Sequence, residues 1–151
     1  MSEMPKIGDK APGFEAETYG GEKIKLSDYK AKIVALYFYP KDNTPGCTKE
    51  ACSMRDGMDE LEKLGVQVLG VGTDGVAAHE NFRNKFDLNF PLLSDKSRDI
   101  ITAYGVESDY GSARRITFLI DKSGIIQYVW NKVSTASHSD EVREKVVELG
   151  L

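Results

Sequence analysis

The sequence predicts an α/β fold, a central mixed sheet with helices on both of its faces. Three observations carry this expectation. Ile33–Tyr39 is an apolar and aromatic run of strand length with no polar face, as in a strand covered on both sides. Strand-like runs alternate along the chain with stretches whose apolar residues recur every three or four positions. Near the end, two apolar runs are joined by only Asp121-Lys122-Ser123-Gly124, so the sheet closes on an antiparallel hairpin.

Taken in order, Phe14–Thr18 and Lys23–Leu26 alternate around Tyr19-Gly20-Gly21-Glu22 and read as an N-terminal β-hairpin. Leu26-Ser27-Asp28-Tyr29 forms a short turn into the Ile33–Tyr39 strand, which Pro40 ends because it has no N–H for a sheet ladder. Thr44-Pro45-Gly46-Cys47 reads as a helix start, with Thr44 as N-cap and Pro45 at the first helical position. From Thr48 to Leu64, residues Ala51, Met54, Met58, Leu61 and Leu64 build one apolar helix face, stopped by Gly65. Val66–Val71 is the next strand, and Gly72-Thr73-Asp74-Gly75 turns the chain into a second helix, Val76–Phe86. Pro91-Leu92-Leu93 precedes Ser94-Asp95, then Ile100, Ile101 and Tyr104 mark a third helix ended by Gly105. The strands Ile116–Ile120 and Ile125–Trp130 follow. Val142, Val146 and Leu149 place a last helix over Asp140–Leu149.

The 151 residues fit one domain large enough for a core that needs no staples, and no linker, repeat or low-complexity tract divides them. A net charge of −4 argues against nucleic acid and anionic membranes as partners. The polar start, Met1–Lys10, does not read as a secretory signal, and no apolar run has the length of a membrane span. The expected compartment is the cytoplasm, where two cysteines point to reactivity or burial rather than to a structural bridge.

Cys47 and Cys52 are the only cysteines. Cys47 falls in the first turn of the predicted helix, near the positive end of its dipole and beside amides without intrahelical partners. Such a place favours a thiolate, the nucleophilic form of cysteine. The alternative is a buried, inert thiol. Cys52 admits three readings: a resolving thiol, a metal ligand, or a residue of the helix core. In an intact helix residues five apart are separated by a rise of about 7.5 Å and a rotation of roughly 140°, which puts their Cα atoms on the order of 8.7 Å apart. That exceeds the roughly 7 Å reach of a disulfide, so the pair bonds only if the first turns of the helix unwind. His79 and His138 match no zinc spacing with the cysteines, and no metal or cofactor is expected.

Pro40-x-x-x-Thr44-x-x-Cys47 resembles the active-site motif of the peroxiredoxins, and the Cys47–Cys52 spacing resembles their Q-type branch, the bacterioferritin comigratory proteins. The likeness continues through Tyr37-Phe-Tyr-Pro-Lys-Asp42, Phe90-Pro-Leu-Leu-Ser-Asp95, Ala103-Tyr-Gly-Val106 and Arg115-Ile-Thr-Phe-Leu-Ile-Asp121, nearly the length of the chain. One departure is Gly72, where that branch often carries serine.

The resemblance implies a thioredoxin-like fold with an N-terminal β extension and a thiol-dependent peroxidase. In that reading Cys47 attacks the peroxide and Cys52 resolves the sulfenic acid as an intramolecular disulfide, which thioredoxin or a similar dithiol protein reopens. Arg115 holds Cys47 ionised and steadies the peroxide oxygens, the Thr44 hydroxyl hydrogen-bonds the peroxide, and Pro40 shields the thiolate from water. Glu50 has two readings, a support for Arg115 or a solvated charge on an exposed helix turn. His79 and His138 are left as surface or core residues. The branch is commonly monomeric or weakly dimeric. A thiol–disulfide oxidoreductase is the rival reading, but it calls for a Cys-x-x-Cys pair, and four residues separate these cysteines. A second rival is a redox-sensing or chaperone-like binding module that uses Cys47 and Cys52 without catalytic turnover.

Overall fold

The computed structural model describes residues 3–151. Seven strands, β1 (Glu15–Glu17), β2 (Lys23–Lys25), β3 (Ile33–Phe38), β4 (Val66–Gly72), β5 (Leu92–Ser94), β6 (Ile116–Ile120) and β7 (Ile126–Trp130), form one sheet in the order β2-β1-β5-β4-β3-β6-β7. The helices are α1 (Pro45–Lys63), α2 (Val76–Phe86), α3 (Asp99–Ala103) and α4 (His138–Leu149).

β3 is an interior strand of the mixed sheet, between β4 and β6, and cover on both of its faces explains why all six of its residues are buried. Ile33, Ala35 and Tyr37, with Tyr39 beyond them, face a core that includes Ala51, Met54 and Leu61 of α1, Phe82 of α2, and Val142 and Val146 of α4. Val34, Leu36 and Phe38 face the opposite core, built with Ile100 and Ile101 of α3 and with Tyr104. Helices therefore cover both faces, as the period-two and period-3.6 patterns require. The hairpin β1–β2 joins the far edge through Glu17 opposite Ser94 of β5.

Register brings the functional segments to one edge. β3 runs parallel to β4, from Ile33 opposite Val66 to Phe38 opposite Val71, and antiparallel to β6, with Phe38 opposite Ile116. The end of β3 and the start of β6 thus meet, and Arg115 emerges beside the turn that leads into α1. Tyr39 N–H carries the ladder one residue further, to the Val71 carbonyl at 3.1 Å, before Pro40 stops it.

α1 and α4 cross closely. A Cβ on Gly57 would lie 2.5 Å from the Ser139 Cβ, so glycine is needed for the approach. Several boundaries shift by one or two residues from expectation. α4 begins at His138 rather than Asp140, and β7 begins at Ile126 because the Ile125 N–H turns back to the Asp121 carboxylate at 3.0 Å.

Candidate active site

The turn between β3 and α1 places Cys47 in the first turn of α1, with 1% of its surface exposed. One helical turn on, Glu50 projects from the same face and is fully buried. Both meet Arg115. Its Nη2 donates to Cys47 Sγ at 3.4 Å and its Nη1 to Glu50 Oε1 at 2.7 Å. The planar fork of guanidinium donors permits this double engagement, which a lysine ammonium would not reproduce. Gly46 completes the fit: a Cβ there would stand 3.0 Å from Arg115 Nη2. A side chain at 46 would push the guanidinium off the sulfur.

A fixed cation thus lies against the buried sulfur in the first turn of α1, and the same guanidinium donors can take up negative charge on a bound oxygen. Glu50 competes for the guanidinium. Burial pushes its carboxyl up to about 7, against the opposing pull of Arg115. Its second oxygen, Oε2, has no hydrogen-bond partner.

Of the other residues singled out, Pro40 is half-buried directly after the strand, and Thr44 stands at the N-cap position with extended backbone and Pro45 following. The Thr44 hydroxyl does not cap the helix, however. It donates to the Lys41 carbonyl at 3.0 Å, an alternative local bond that threonine readily makes, and its lone pairs stay clear of the α1 amides. Cys52 is half-buried, both thiols are free, and α1 is continuous through both positions. Cys47, Glu50 and Arg115 are brought into contact, whereas Cys52 is held away from Cys47 by the helix that carries both.

The structure decides between the two readings of Glu50 and adds two buried histidine clusters to which the sequence assigned no role. Glu50 is buried on Arg115 rather than solvated. His79 is fully buried, its Nδ1 2.6 Å from Asp42 Oδ2 and its Nε2 3.0 Å from the Leu93 carbonyl. Tyr39 OH donates to the other Asp42 oxygen at 2.7 Å, and the Asp42 N–H donates to Asp74 at 2.7 Å. This ties the turn carrying Pro40 and Thr44 to α2 and β5. His138, also fully buried, sets its Nε2 2.8 Å from Thr117 Oγ1 and its Nδ1 2.9 Å from Glu141 Oε1. The His138–Glu141 spacing of three on a helix was a usable signal; the Asp42–His79 pairing, 37 residues apart, had none.

Comparison with known proteins agrees with this geometry. Residues 7–129 match the model of the AhpC/TSA family. A putative peroxiredoxin Bcp of Coxiella burnetii is 49% identical over 144 residues, covering 91% of this chain and 95% of that protein. The peroxiredoxin Bcp of Escherichia coli K12 is 43% identical over 144 residues, covering 91% and 92%. The crystal structure of a mutant Xylella fastidiosa PrxQ superposes with a TM-score of 0.91 at 33% identity, covering all of both chains. With its seven-stranded mixed sheet, its buried thiol under an arginine and relatives matched over nearly its whole length, the chain belongs to the AhpC/TSA family as a thiol-dependent peroxidase of the peroxiredoxin Bcp/Q branch.

Proposed function

We propose that the chain reduces hydroperoxides with Cys47 as the attacking thiol and Cys52 as the resolving one. The single observation that carries this is the Arg115 hydrogen bond to the buried Cys47 sulfur. The Cys47 thiolate attacks the outer peroxide oxygen, the O–O bond breaks, and the leaving oxygen takes a proton as alcohol or water. The sulfur is oxidised to a sulfenic acid. Arg115 spreads positive charge over sulfur and oxygens as charge moves from one to the other. Thr44 supplies a hydroxyl to the peroxide, and Pro40 keeps water from the sulfur.

Cys52 then displaces hydroxide from the sulfenic sulfur, giving the disulfide and, with its proton, water. Five helical positions separate the two cysteines, so this step requires the first turns of α1 to unwind. A dithiol protein of the thioredoxin type reopens the bond by exchange, in the reducing environment of the cytoplasm.

The test is a free-thiol count before and after one equivalent of hydrogen peroxide. The wild type should lose both thiols, Cys47→Ser should be inert, and Cys52→Ser should stop at a trappable sulfenic acid. Two thiols surviving in the wild type would leave the chain with the family fold and no such chemistry. Hydrogen exchange across Pro45–Cys52 should rise on oxidation; unchanged protection there would rule out the unwinding step.

A further inference from the structure

The peroxidase reading uses Cys47, Arg115 and Cys52, but leaves a buried set of ionisable groups behind the guanidinium without a role. Glu50 is their centre. One oxygen accepts from Arg115, while the other, Oε2, is enclosed and unpartnered 3.9 Å from His138 Nε2. The side chains of Glu50 and His138 have no exposure at all. The far side of the imidazole reaches the surface, because Nδ1 is 2.9 Å from Glu141 Oε1, a carboxylate 31% exposed. From Cys47 sulfur to solvent the sequence of groups is therefore guanidinium, buried carboxyl, imidazole, surface carboxylate, contributed by α1, the start of β6 and α4.

Hydrogen-bond chemistry constrains where protons sit. Glu141, an acceptor, requires a proton on His138 Nδ1. Burial holds the imidazolium down, Glu141 opposing and Arg115 assisting, so Nε2 is left as an acceptor for the Thr117 hydroxyl. No donor then remains for Glu50 Oε2, and an unpaired buried carboxylate oxygen favours carrying the proton itself. Every element around Glu50 presents a titratable or charged group: Cys47 on α1, Tyr37 on β3, Arg115 before β6, and His138 and Glu141 on α4. The Tyr37 hydroxyl, also buried and unpartnered, is held neutral by burial and by the charges of Glu50 and Cys47. Glu141 raises the proton affinity of Glu50 through its negative charge.

We propose that Glu141, acting by its charge from the surface of α4 across the buried His138, sets the protonation of Glu50, which in turn sets how much of the guanidinium's charge is available to the Cys47 sulfur. With a proton on Glu50, Arg115 has one anionic partner, the thiolate. With Glu50 ionised, two anions share one cation, and the thiolate is the less stabilised. Glu50, His138 and Glu141 are positioning residues; none touches the peroxide. The proposal rests on Cys47 being the attacking thiol.

The experiment follows thiolate absorbance against pH in the full-length Cys52→Ser protein, where Cys47 is the only thiol. The peroxide reaction rate is followed against pH in parallel. Glu141→Gln keeps an acceptor for Nδ1 and removes only the charge. It should lower the proton affinity of Glu50 and move the Cys47 midpoint upward by a few tenths to about one pH unit. Glu50→Gln should move it downward, and adding Glu141→Gln to Glu50→Gln should then change nothing further. Glu141 is partly exposed, so Glu141→Gln does not depend on the core. An unmoved midpoint in Glu141→Gln overturns the proposal, as does an equal shift with Glu50 absent, since the coupling would then bypass it. A rate loss equal at every pH, with the midpoint fixed, would make the cluster purely structural and overturn it too. The absorbance titration needs no peroxide. A protein that shows the shifts but does not consume peroxide would sink the peroxidase assignment and leave the coupling standing.

Discussion

On one side of the Cys47 turn, His79 has a partner for each ring nitrogen, and both oxygens of Asp42 are engaged, by His79 and by Tyr39. On the other side His138 is equally buried and equally bonded, yet the carboxylate beside it keeps a bare oxygen. The two clusters use the same residue types and differ in saturation. A fully paired buried network is rigid, because any departure exposes a polar group to a low dielectric. A network one partner short is where a proton can be gained or lost at low cost. The first fixes the backbone ahead of α1, and the second adjusts the charge behind its first turn.

The sharpest way to break this contrast is to empty the saturated side. His79→Ala leaves the Asp42 carboxylate and the Leu93 carbonyl without their buried partner. Stranding these buried acceptors and leaving the space of the imidazole empty costs about 4 kcal/mol. For a chain of this length that corresponds to a fall in melting temperature on the order of 10 °C. Thermal unfolding of the variant against wild type measures it. A loss no larger than that of an ordinary surface change would show that the Asp42–His79 contact does not anchor the turn, and the contrast would collapse.

On the unsaturated side the expected signature is pH-dependent. The Glu50 carboxyl is raised from 4.5 to about 7, burial being the main cause, so the folded chain holds this proton more tightly than the unfolded one. The stability it contributes is complete below the unfolded value and is lost as the pH rises through about 7. The full amount is roughly 3 kcal/mol at about 1.4 kcal/mol per pH unit. Glu50→Gln keeps an oxygen for Arg115 and cannot titrate. Urea unfolding of both proteins, below and above that window, should show wild type losing stability relative to the variant as pH rises. His138 acts in the opposite sense, because burial disfavours its imidazolium, so only the difference between the two proteins reports Glu50. Parallel curves would mean that the carboxyl is already ionised in the fold.

Most of the architecture was legible because periodicity reports burial directly. The unbroken apolar run of β3 and the three-four spacing of α1 each specify one element and its covered face, and the single turn at Asp121–Gly124 specifies the β6–β7 hairpin. The placement of Cys47 was legible too, since Thr44, Pro45 and the end of β3 act locally. What escaped was the polar interior. Glu50 looks like any solvated helix charge until Arg115, 65 residues away, is known to lie over it. Asp42 and His79 carry no pattern, because their contact follows from the strand order rather than from local spacing. Thr44 takes the expected N-cap position, but its hydroxyl bonds to the Lys41 carbonyl rather than to an α1 amide.

The smallest effect tests whether α4, which carries His138, is tied to the segment of α1 that unwinds in the proposed cycle. Ser139 is the second residue of α4, so its N–H has no intrahelical partner. It donates instead to Ser53 Oγ at 3.1 Å, and that hydroxyl donates on to Ser139 Oγ at 3.2 Å. Ser53 thus serves α4 as a cap supplied by another helix, from the position immediately after Cys52. In the reduced protein Ser53→Ala should cost about 1 kcal/mol, a shift of roughly 3 °C. If the proposed disulfide draws the turn bearing Ser53 away with Cys52, the same substitution should cost close to nothing in the oxidised protein. Melting temperatures of both proteins in both redox states give the difference. An equal penalty in each would mean that Ser53 stays on α4 after oxidation, confining the unwinding to the turns before Cys52 and leaving His138 in place throughout the cycle.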